Sequence, residues 1–242
     1  MAMETSREDV EALIRDKYAG DRSADLSGDL ARLSEGEPLA YVIGWVPFLG
    51  LRINLDSRPL IPRPETEWWA EELITKLEGK KLRVLDLCAG SGAIGLSILA
   101  HVPGAQVSFG ELMEEHVEQI RKNLELNGLD ASRADIREGD LFEPFLGETF
   151  DLIVSNPPYI PEGRELPESV LEYEPEEALY SGPDGLEVLR RIAKEAPTHL
   201  TSGGELWIEA DVENIEEAAR LVQNPEIRTD PYGRPRLLVG HY

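Results

Sequence analysis

Apolar residues follow two different spacings along residues 63–242 of this chain. Short stretches rich in apolar residues predict buried strands at residues 82–87, 106–109, 153–155 and 205–209. Between them, apolar residues recur about every three to four positions, which predicts helices at residues 65–77, 93–99, 116–126 and 186–196. Strands that alternate with helices are typical of an α/β fold, in which a parallel, Rossmann-like sheet carries helices on both faces. A last apolar run, residues 236–239, predicts an edge strand of that sheet.

The first 36 residues have the pattern of a small helical segment. Ser6 and Asp9 match the two ends of a capping box, and Leu13 follows at helical spacing. A second short helix is predicted at residues 26–33. We therefore expect residues 1–36 to form a helical appendage in front of the main domain.

Residues 37–62 change to a strand-like pattern. Apolar runs at residues 41–43, 45–48 and 51–55 are interrupted by Gly44 and Gly50. Such runs separated by glycine predict a β-hairpin. The interpretation is a hairpin linker over residues 37–62, followed by the main domain over residues 63–242.

Composition and charge narrow the classes of function. The chain has 242 residues, 41% of them hydrophobic, which is enough for one large domain and its core. With 24 Lys and Arg against 47 Asp and Glu, the net charge of −23 would repel a phosphate backbone, so extended nucleic-acid binding is not expected. Cys88 is the single cysteine, and no apolar run approaches the roughly 20 residues of a membrane span. We expect a cytoplasmic protein that does not bind membranes.

A glycine-rich loop follows the first predicted strand of the main domain. Gly90, Gly92 and Gly95 fit a G-x-G-x-x-G pattern, in which glycines let the backbone turn sharply and approach a ligand before a helix begins. The acidic Asp86 precedes the loop, and no basic feature nearby would bind a pyrophosphate. Acceptor groups in this position favour a cationic ammonium group over a diphosphate.

Two further carboxylates follow in an informative order. Glu111 ends the next predicted strand, 21 positions after Gly90, which is the usual interval for a carboxylate that binds ribose hydroxyl groups. Asp140 lies just before Leu141 and could accept from an adenine amino group. Acceptors for ammonium, ribose and adenine, in that order, predict S-adenosyl-L-methionine as the cofactor.

The tetrapeptide Asn156-Pro157-Pro158-Tyr159 stands directly after a predicted buried strand. Each proline fixes φ and removes an N–H donor. The polar groups that remain to contact a ligand are carbonyl oxygens and one carboxamide. An acceptor-rich pocket of this kind suits an NH2 group, which amides and adenine both carry. A proline-stiffened turn without a guest is the alternative interpretation of the tetrapeptide alone.

Four motifs of this chain together resemble one known family. The glycine loop resembles the first motif of class I S-adenosylmethionine-dependent methyltransferases, and the tetrapeptide resembles the N-P-P-Y motif of members that methylate amide or amino nitrogen. Two further motifs resemble the linker and entry, and the segment after N-P-P-Y, of the HemK-like glutamine N5-methyltransferases. The matching stretches are residues 37–44 with 60–67, 86–92, 156–159, and 173–179 with 182–186. The resemblance covers about residues 37–242.

The resemblance implies a set of residues that bind S-adenosyl-L-methionine. These positions are Cys88, Ala89, Gly90, Ser91, Gly92, Glu111 and Asn156, with Arg63 and Thr66 of the entry motif close to the cofactor. The position after Asp140 is often aromatic in relatives and is Leu141 here, so we expect weaker packing against adenine.

The resemblance also implies a protein substrate. Family members methylate the glutamine in the G-G-Q loop of peptide chain release factors, and close relatives modify a glutamine of a ribosomal protein. The resemblance favours the release factor. Relatives usually carry a larger N-terminal helical bundle that helps to grip the release factor, and only about 36 residues precede the linker here, so we expect part of that grip to be missing.

The expected catalytic residues are those of the tetrapeptide. An amide nitrogen is a poor nucleophile, so the site must aim it at the methyl group. We expect the Asn156 side-chain oxygen and the Pro157 carbonyl to accept the two amide hydrogens, beside Pro158, while Tyr159 packs on the flat amide. No strong general base is needed, and the four histidines are scattered without metal-ligand spacing.

Three alternatives remain open from the sequence. An N6-adenine methyltransferase of DNA or RNA would use the same tetrapeptide, but it must grip a polyanion and flip a base, which the net charge of −23 disfavours. A noncatalytic binding module would leave two intact motifs without a purpose. A nucleotide-dependent oxidoreductase would leave the tetrapeptide unexplained.

Overall fold

The computed structural model describes residues 6–242, so residues 1–5 of the predicted helical segment lie outside it. The capping box is confirmed: the Ser6 side chain accepts from the Asp9 N–H, and the Asp9 side chain accepts from the Ser6 N–H. Helix α1 (Arg7–Ala12) continues into a π-helical turn at Leu13–Lys17. Helix α2 (Ser27–Ser34) lies where the second short helix is predicted.

The strand predicted at residues 41–43 is wrong, because these residues belong to helix α3 (Leu39–Ile43). Pro38 stands at its N-cap, and Gly44 ends it with a left-handed φ of 91°, which a glycine adopts without strain. The apolar run has no periodicity that distinguishes a short strand from one buried helical turn. The hairpin itself is confirmed: β1 (Trp45–Phe48) pairs with β2 (Leu51–Asn54) in antiparallel register.

The main body alternates strands and helices as predicted. The further strands are β3 (Leu82–Leu87), β4 (Ala105–Glu111), β5 (Ala134–Glu138), β6 (Phe150–Ser155), β7 (Leu200–Glu209), β8 (Glu226–Thr229) and β9 (Pro235–His241). The further helices are α4 (Pro64–Leu77), α5 (Ala93–His101), α6 (Glu114–Leu126), α7 (Glu168–Tyr173), α8 (Glu187–His199) and α9 (Ile215–Ala218). Within residues 6–242, no helix is long and apolar enough to cross a membrane.

A seven-stranded sheet has the order β5-β4-β3-β6-β7-β9-β8. The strands from β5 to β7 are parallel, whereas β9 runs antiparallel to β7 and β8 antiparallel to β9. The sheet is therefore mixed, and residues 236–239 are not its edge as predicted, since β8 lies outside β9. Both actual edge strands, β5 and β8, escaped prediction because they are short and rich in charged residues, as exposed edges commonly are.

Side chains alternate between the two faces of the sheet and build a core on each. Along β7, Leu206 and Ile208 point into the core beneath α8, whereas Trp207 points into the core that contains Trp69 of α4. The same alternation directs the last residue of β7, Glu209, toward α4. The carboxyl ends of β3, β4, β6 and β7 meet at one edge of the sheet, where ligands bind in open α/β sheets.

Candidate active site at the carboxyl ends of the strands

A cleft of about 860 Å³, including its open mouth, lies at this edge of the sheet. The structure brings to its wall the predicted residues Cys88, Gly90, Glu111, Asp140, Leu141, Asn156 and Pro158. Sequence reasoning did not assign the wall residues Leu60, Gly110, Leu112, Met113, His116, Gly139, Pro175, Glu177, Ala178, Val188 and Arg191.

The glycine loop and Glu111 form one hydrogen-bonded unit. Glu111 Oε2 accepts the Gly90 N–H at 2.8 Å, and Oε1 accepts the Met113 N–H at 3.0 Å. Cys88, Gly90 and Gly92 all have left-handed φ values, of 56°, 54° and 80°. For Cys88 this conformation is strained, and such strain concentrates at functional sites. The carboxylate thus holds the loop in its turn while it lines the cleft.

Cys88 and its neighbours have structural roles in this loop. Burial, with a smaller effect of Glu111, raises the pKa of the Cys88 thiol to about 12, so the thiol stays protonated in the cleft. The Ala89 N–H donates to the Gly110 carbonyl at 3.2 Å. Ser91 is buried, and its carbonyl accepts from the Asn123 side chain at 3.0 Å. Ala89, Ser91 and Gly92 support the wall of the cleft without lining it.

Asp86 lies beneath the glycine loop and is fully buried. Its Oδ2 accepts the Gly95 N–H at 2.9 Å, whereas its Oδ1 has no partner among the described residues. A Cβ on Gly95 would come within 2.3 Å of the Phe109 ring, so only glycine lets α5 approach β4 here. Asp86 does not line the cleft, and its predicted contact with an ammonium group stays a prediction.

Asp140 and Leu141 form part of the wall of the cleft. Asp140 Oδ2 accepts from Arg191 Nη2 at 2.6 Å, and the Arg191 side chain also lines the cleft. Leu141 is buried with a left-handed φ of 51°. Asp140 is therefore already paired with Arg191, and its second oxygen is left to accept a hydrogen bond from a ligand. The sequence did not assign Arg191 to the site. The nearest family-like motif is residues 182–186, five positions earlier in the chain.

Asn156 presents an unsatisfied acceptor to the site. Its Nδ2 donates to Thr66 Oγ1 at 3.2 Å, while its Oδ1 is buried and has no partner among residues 6–242. A buried unpaired acceptor costs about 1–3 kcal/mol and is rare in native proteins. A ligand that donates a hydrogen bond to Asn156 Oδ1 would satisfy this acceptor.

Tyr159 turns its hydroxyl group away from the cleft toward Glu209. The Tyr159 hydroxyl donates to Glu209 Oε1 at 3.1 Å, and burial, followed by the charge of Glu209, raises the Tyr159 pKa well above its ordinary value. Pro157 and Tyr159 are not among the residues that line the cleft. Close packing fixes the backbone here, because a Cβ on Gly185 would lie 2.3 Å from the Tyr159 carbonyl oxygen.

Arg63 ties the entry segment to the segment after the tetrapeptide. Its Nη2 donates to Glu174 Oε1 at 2.6 Å, and the Ile61 N–H donates to Glu174 Oε2 at 3.2 Å. Leu60 and Pro175, adjacent to these partners, both line the cleft. The buried Glu174 carboxylate therefore holds together, at one side of the cleft, the entry segment and the segment after the tetrapeptide, which lie far apart in the chain.

The histidines and the acidic side chains form no metal centre in the described chain. No group of three or more His, Cys, Asp or Glu side chains among residues 6–242 is arranged to hold a metal ion. His116 lines the cleft, and its Nδ1 lies 2.9 Å from Ser57 Oγ. His116 is one of the four scattered histidines, and no sequence signal placed it at the cleft.

The hydrogen-bond acceptors and the apolar side chains that line the cleft fit S-adenosyl-L-methionine. The polar wall offers carboxylate and carboxamide oxygens, as an ammonium group and ribose hydroxyl groups require. Leu60, Leu112, Leu141 and Val188 add the apolar surface that a flat adenine ring requires. Among residues 6–242, Arg191 is the arginine or lysine that lines the cleft, and it is paired with Asp140 rather than free to bind a diphosphate.

Comparison with known proteins identifies the family. The family model described as "Methyltransferase small domain" matches residues 67–172. The chain is 32% identical to a release factor glutamine methyltransferase from Lactococcus lactis, over 93% of this chain and 85% of that protein. It is 37% identical to the Deinococcus radiodurans protein of the same name, over 90% of this chain and 79% of that protein.

Solved structures confirm the predicted fold class. The crystal structure of a methyltransferase from Pyrococcus furiosus superimposes with a TM-score of 0.61 at 21% identity, over 89% of this chain and 98% of that chain. At this identity the likeness concerns the fold alone. The identity to the two curated relatives, over most of both chains, shows more: this chain belongs to the family of release factor glutamine methyltransferases.

Proposed function

We propose that this chain transfers a methyl group from S-adenosyl-L-methionine to the side-chain amide nitrogen, N5, of a protein glutamine. The substrate is a peptide chain release factor, and the target is the glutamine of its G-G-Q loop. The observation that carries the proposal is the buried, unpaired Oδ1 of Asn156, which stands at the wall of a cleft suited to this cofactor. The names of the curated relatives support the choice of substrate.

The chain holds the cofactor with residues from three strand ends. Glu111 accepts from the ribose hydroxyl groups with the lone pairs that Gly90 and Met113 leave free. Asp140 and Leu141 provide an acceptor and an apolar surface for the adenine. When bound, S-adenosyl-L-methionine supplies an electrophilic methyl group on a sulfonium centre.

The tetrapeptide orients the glutamine amide. Asn156 Oδ1 accepts one amide hydrogen, and the Pro157 carbonyl accepts the other. Both acceptors stabilise the partial positive charge that grows on the nitrogen as its lone pair leaves conjugation with the carbonyl. The methylated nitrogen is acidic and releases its proton to water, so the chain contributes orientation and electrostatics rather than a general base.

Mass spectrometry tests the proposal. The chain is incubated with labelled cofactor and either a release factor, a mixture of ribosomal proteins, or nucleic acid. We expect one methyl group on the glutamine of the G-G-Q loop and none on a release factor in which that glutamine is replaced by alanine. A methyl group found only on ribosomal protein, or only on DNA or RNA, would refute the proposed substrate.

A further inference from the structure

We infer that Glu209 is a positioning residue that determines which end of the Asn156 carboxamide faces the substrate. The inference rests on the proposed function of Asn156. Glu209 acts through the hydroxyl group of Thr66, and its second carboxylate oxygen holds Tyr159. One buried side chain thereby orients both ends of the tetrapeptide.

The sheet places Glu209 next to the tetrapeptide. Strands β6 and β7 pair in parallel with Ser155 opposite Ile208, so the residue after each lies at the same edge of the sheet. Those two residues are Asn156 and Glu209. Glu209 is fully buried on the α4 side, and three donors reach it, two from α4 and one from the tetrapeptide.

The contacts of Glu209 define the direction of each hydrogen bond. Its Oε2 accepts from Thr66 Oγ1 at 2.7 Å and from Trp69 Nε1 at 2.8 Å, and its Oε1 accepts from the Tyr159 hydroxyl at 3.1 Å. The indole N–H of Trp69 can only donate, so Glu209 Oε2 is an acceptor at this position. The Thr66 hydroxyl therefore has its proton on the Glu209 side.

The direction at Thr66 determines the orientation of Asn156. Because the Thr66 proton points to Glu209, Thr66 Oγ1 is left as an acceptor toward Asn156, 3.2 Å away. Only the NH2 end of the Asn156 carboxamide can donate to it. The oxygen end, Oδ1, is thereby turned to the site, where it is unpaired. A flipped carboxamide would offer two N–H donors to a substrate amide that also offers donors.

Burial makes this arrangement depend on the three donors. Burial, the largest effect, raises the pKa of Glu209, while hydrogen bonds from Trp69, Thr66 and Tyr159 act in the opposite direction. A carboxylate placed here without donors would be costly. The three donors and the carboxylate therefore form one network that joins α4, β7 and the tetrapeptide after β6.

Two pairs of variants test the inference. Thr66→Val removes the hydroxyl group at nearly constant shape, and Thr66→Ser keeps it. Glu209→Met removes the acceptors at similar length. Glu209→Gln keeps one oxygen, which the indole N–H of Trp69 directs toward Thr66. We expect Thr66→Val and Glu209→Met to lower kcat by about 100-fold, the scale of one preorganised hydrogen bond, and the other two variants to stay within about threefold.

Separate readouts distinguish positioning from loss of structure. The affinity for S-adenosyl-L-methionine, measured by calorimetry without substrate, and the KM for the release factor are expected to change less than about threefold in all four variants, because uniform binding is untouched. Equal kcat in Thr66→Val and Thr66→Ser would overturn the inference even if Glu209→Met failed to fold. A parent chain that leaves release factor unmethylated would instead refute the proposed function.

Discussion

Asp86 allows a quantitative prediction, because its burial changes the stability of the chain with pH. The carboxyl group is fully buried, one oxygen accepts the Gly95 N–H, and the other has no partner among the described residues. Burial, with a smaller effect of the nearby Glu111 charge, raises the pKa of Asp86 from 3.8 to about 7. At neutral pH the folded chain thus holds a carboxyl group that is only partly ionised.

The sign of the effect follows from proton binding. The folded state binds this proton more tightly than the unfolded state, so the stability that Asp86 contributes is complete below pH 3.8 and is lost as the pH rises through about 7. Each pKa unit corresponds to about 1.36 kcal/mol, so the shift amounts to on the order of 4 kcal/mol. Asp86→Asn removes the ionisation and keeps an oxygen for the Gly95 N–H.

Urea unfolding at a series of pH values tests this prediction. We expect the free energy of unfolding of Asp86→Asn, relative to the parent, to rise by about 2 kcal/mol between pH 5.5 and 7 and to level off above it. Asp56→Asn, at an exposed position, controls for the change in net charge. A difference between Asp86→Asn and the parent that is constant over this range would refute the reasoning. If the cofactor ammonium group lies beside Asp86, saturating cofactor should shift the levelling point to lower pH.

Three further substitutions test the site. Asn156→Ala should keep most of the cofactor affinity in calorimetry and lose about 100-fold in kcat, and full turnover would exclude its role as acceptor. Glu174→Gln should weaken cofactor binding in the same experiment, because it replaces an acceptor of Arg63 with a donor at the side of the cleft; unchanged affinity would show that this closure is dispensable. Gly185→Ala should lower the melting temperature and kcat together, because its Cβ would meet the Tyr159 carbonyl at 2.3 Å and its φ is +75°; a melting temperature equal to that of the parent would contradict the packing argument.

The local sequence pattern predicted those strands that are buried on both faces of the sheet. The central strands β3, β6 and β7 each contain a cluster of buried apolar residues, which the sequence displays directly. The edge strands β5 and β8 bury less and carry charges, so their apolar pattern is too weak to detect. Here pairing with a neighbouring strand, which is a nonlocal interaction, decides the structure.

The residues of the site also divide into those with a local sequence signal and those that depend on nonlocal contacts. Glu111 and Asn156 follow predicted strands at positions that a motif defines, so sequence reasoning could assign them. Glu174 and Glu209 could not be assigned, since each becomes significant only through donors at least 50 positions away in the chain. A buried carboxylate is indistinguishable from a solvated one until its partners are known.

The buried, unpaired Asn156 Oδ1 argues for the chemical class of the ligand. Asn156 follows β6 directly and lines the cleft, and its Oδ1 has no partner within residues 6–242. A phosphate group brings only more acceptors and would leave this atom unsatisfied, at a cost of about 1–3 kcal/mol. A carboxamide NH2 group brings donors. A glutamine side chain therefore matches the unpaired acceptor at this edge of the sheet, whereas a nucleic-acid backbone does not.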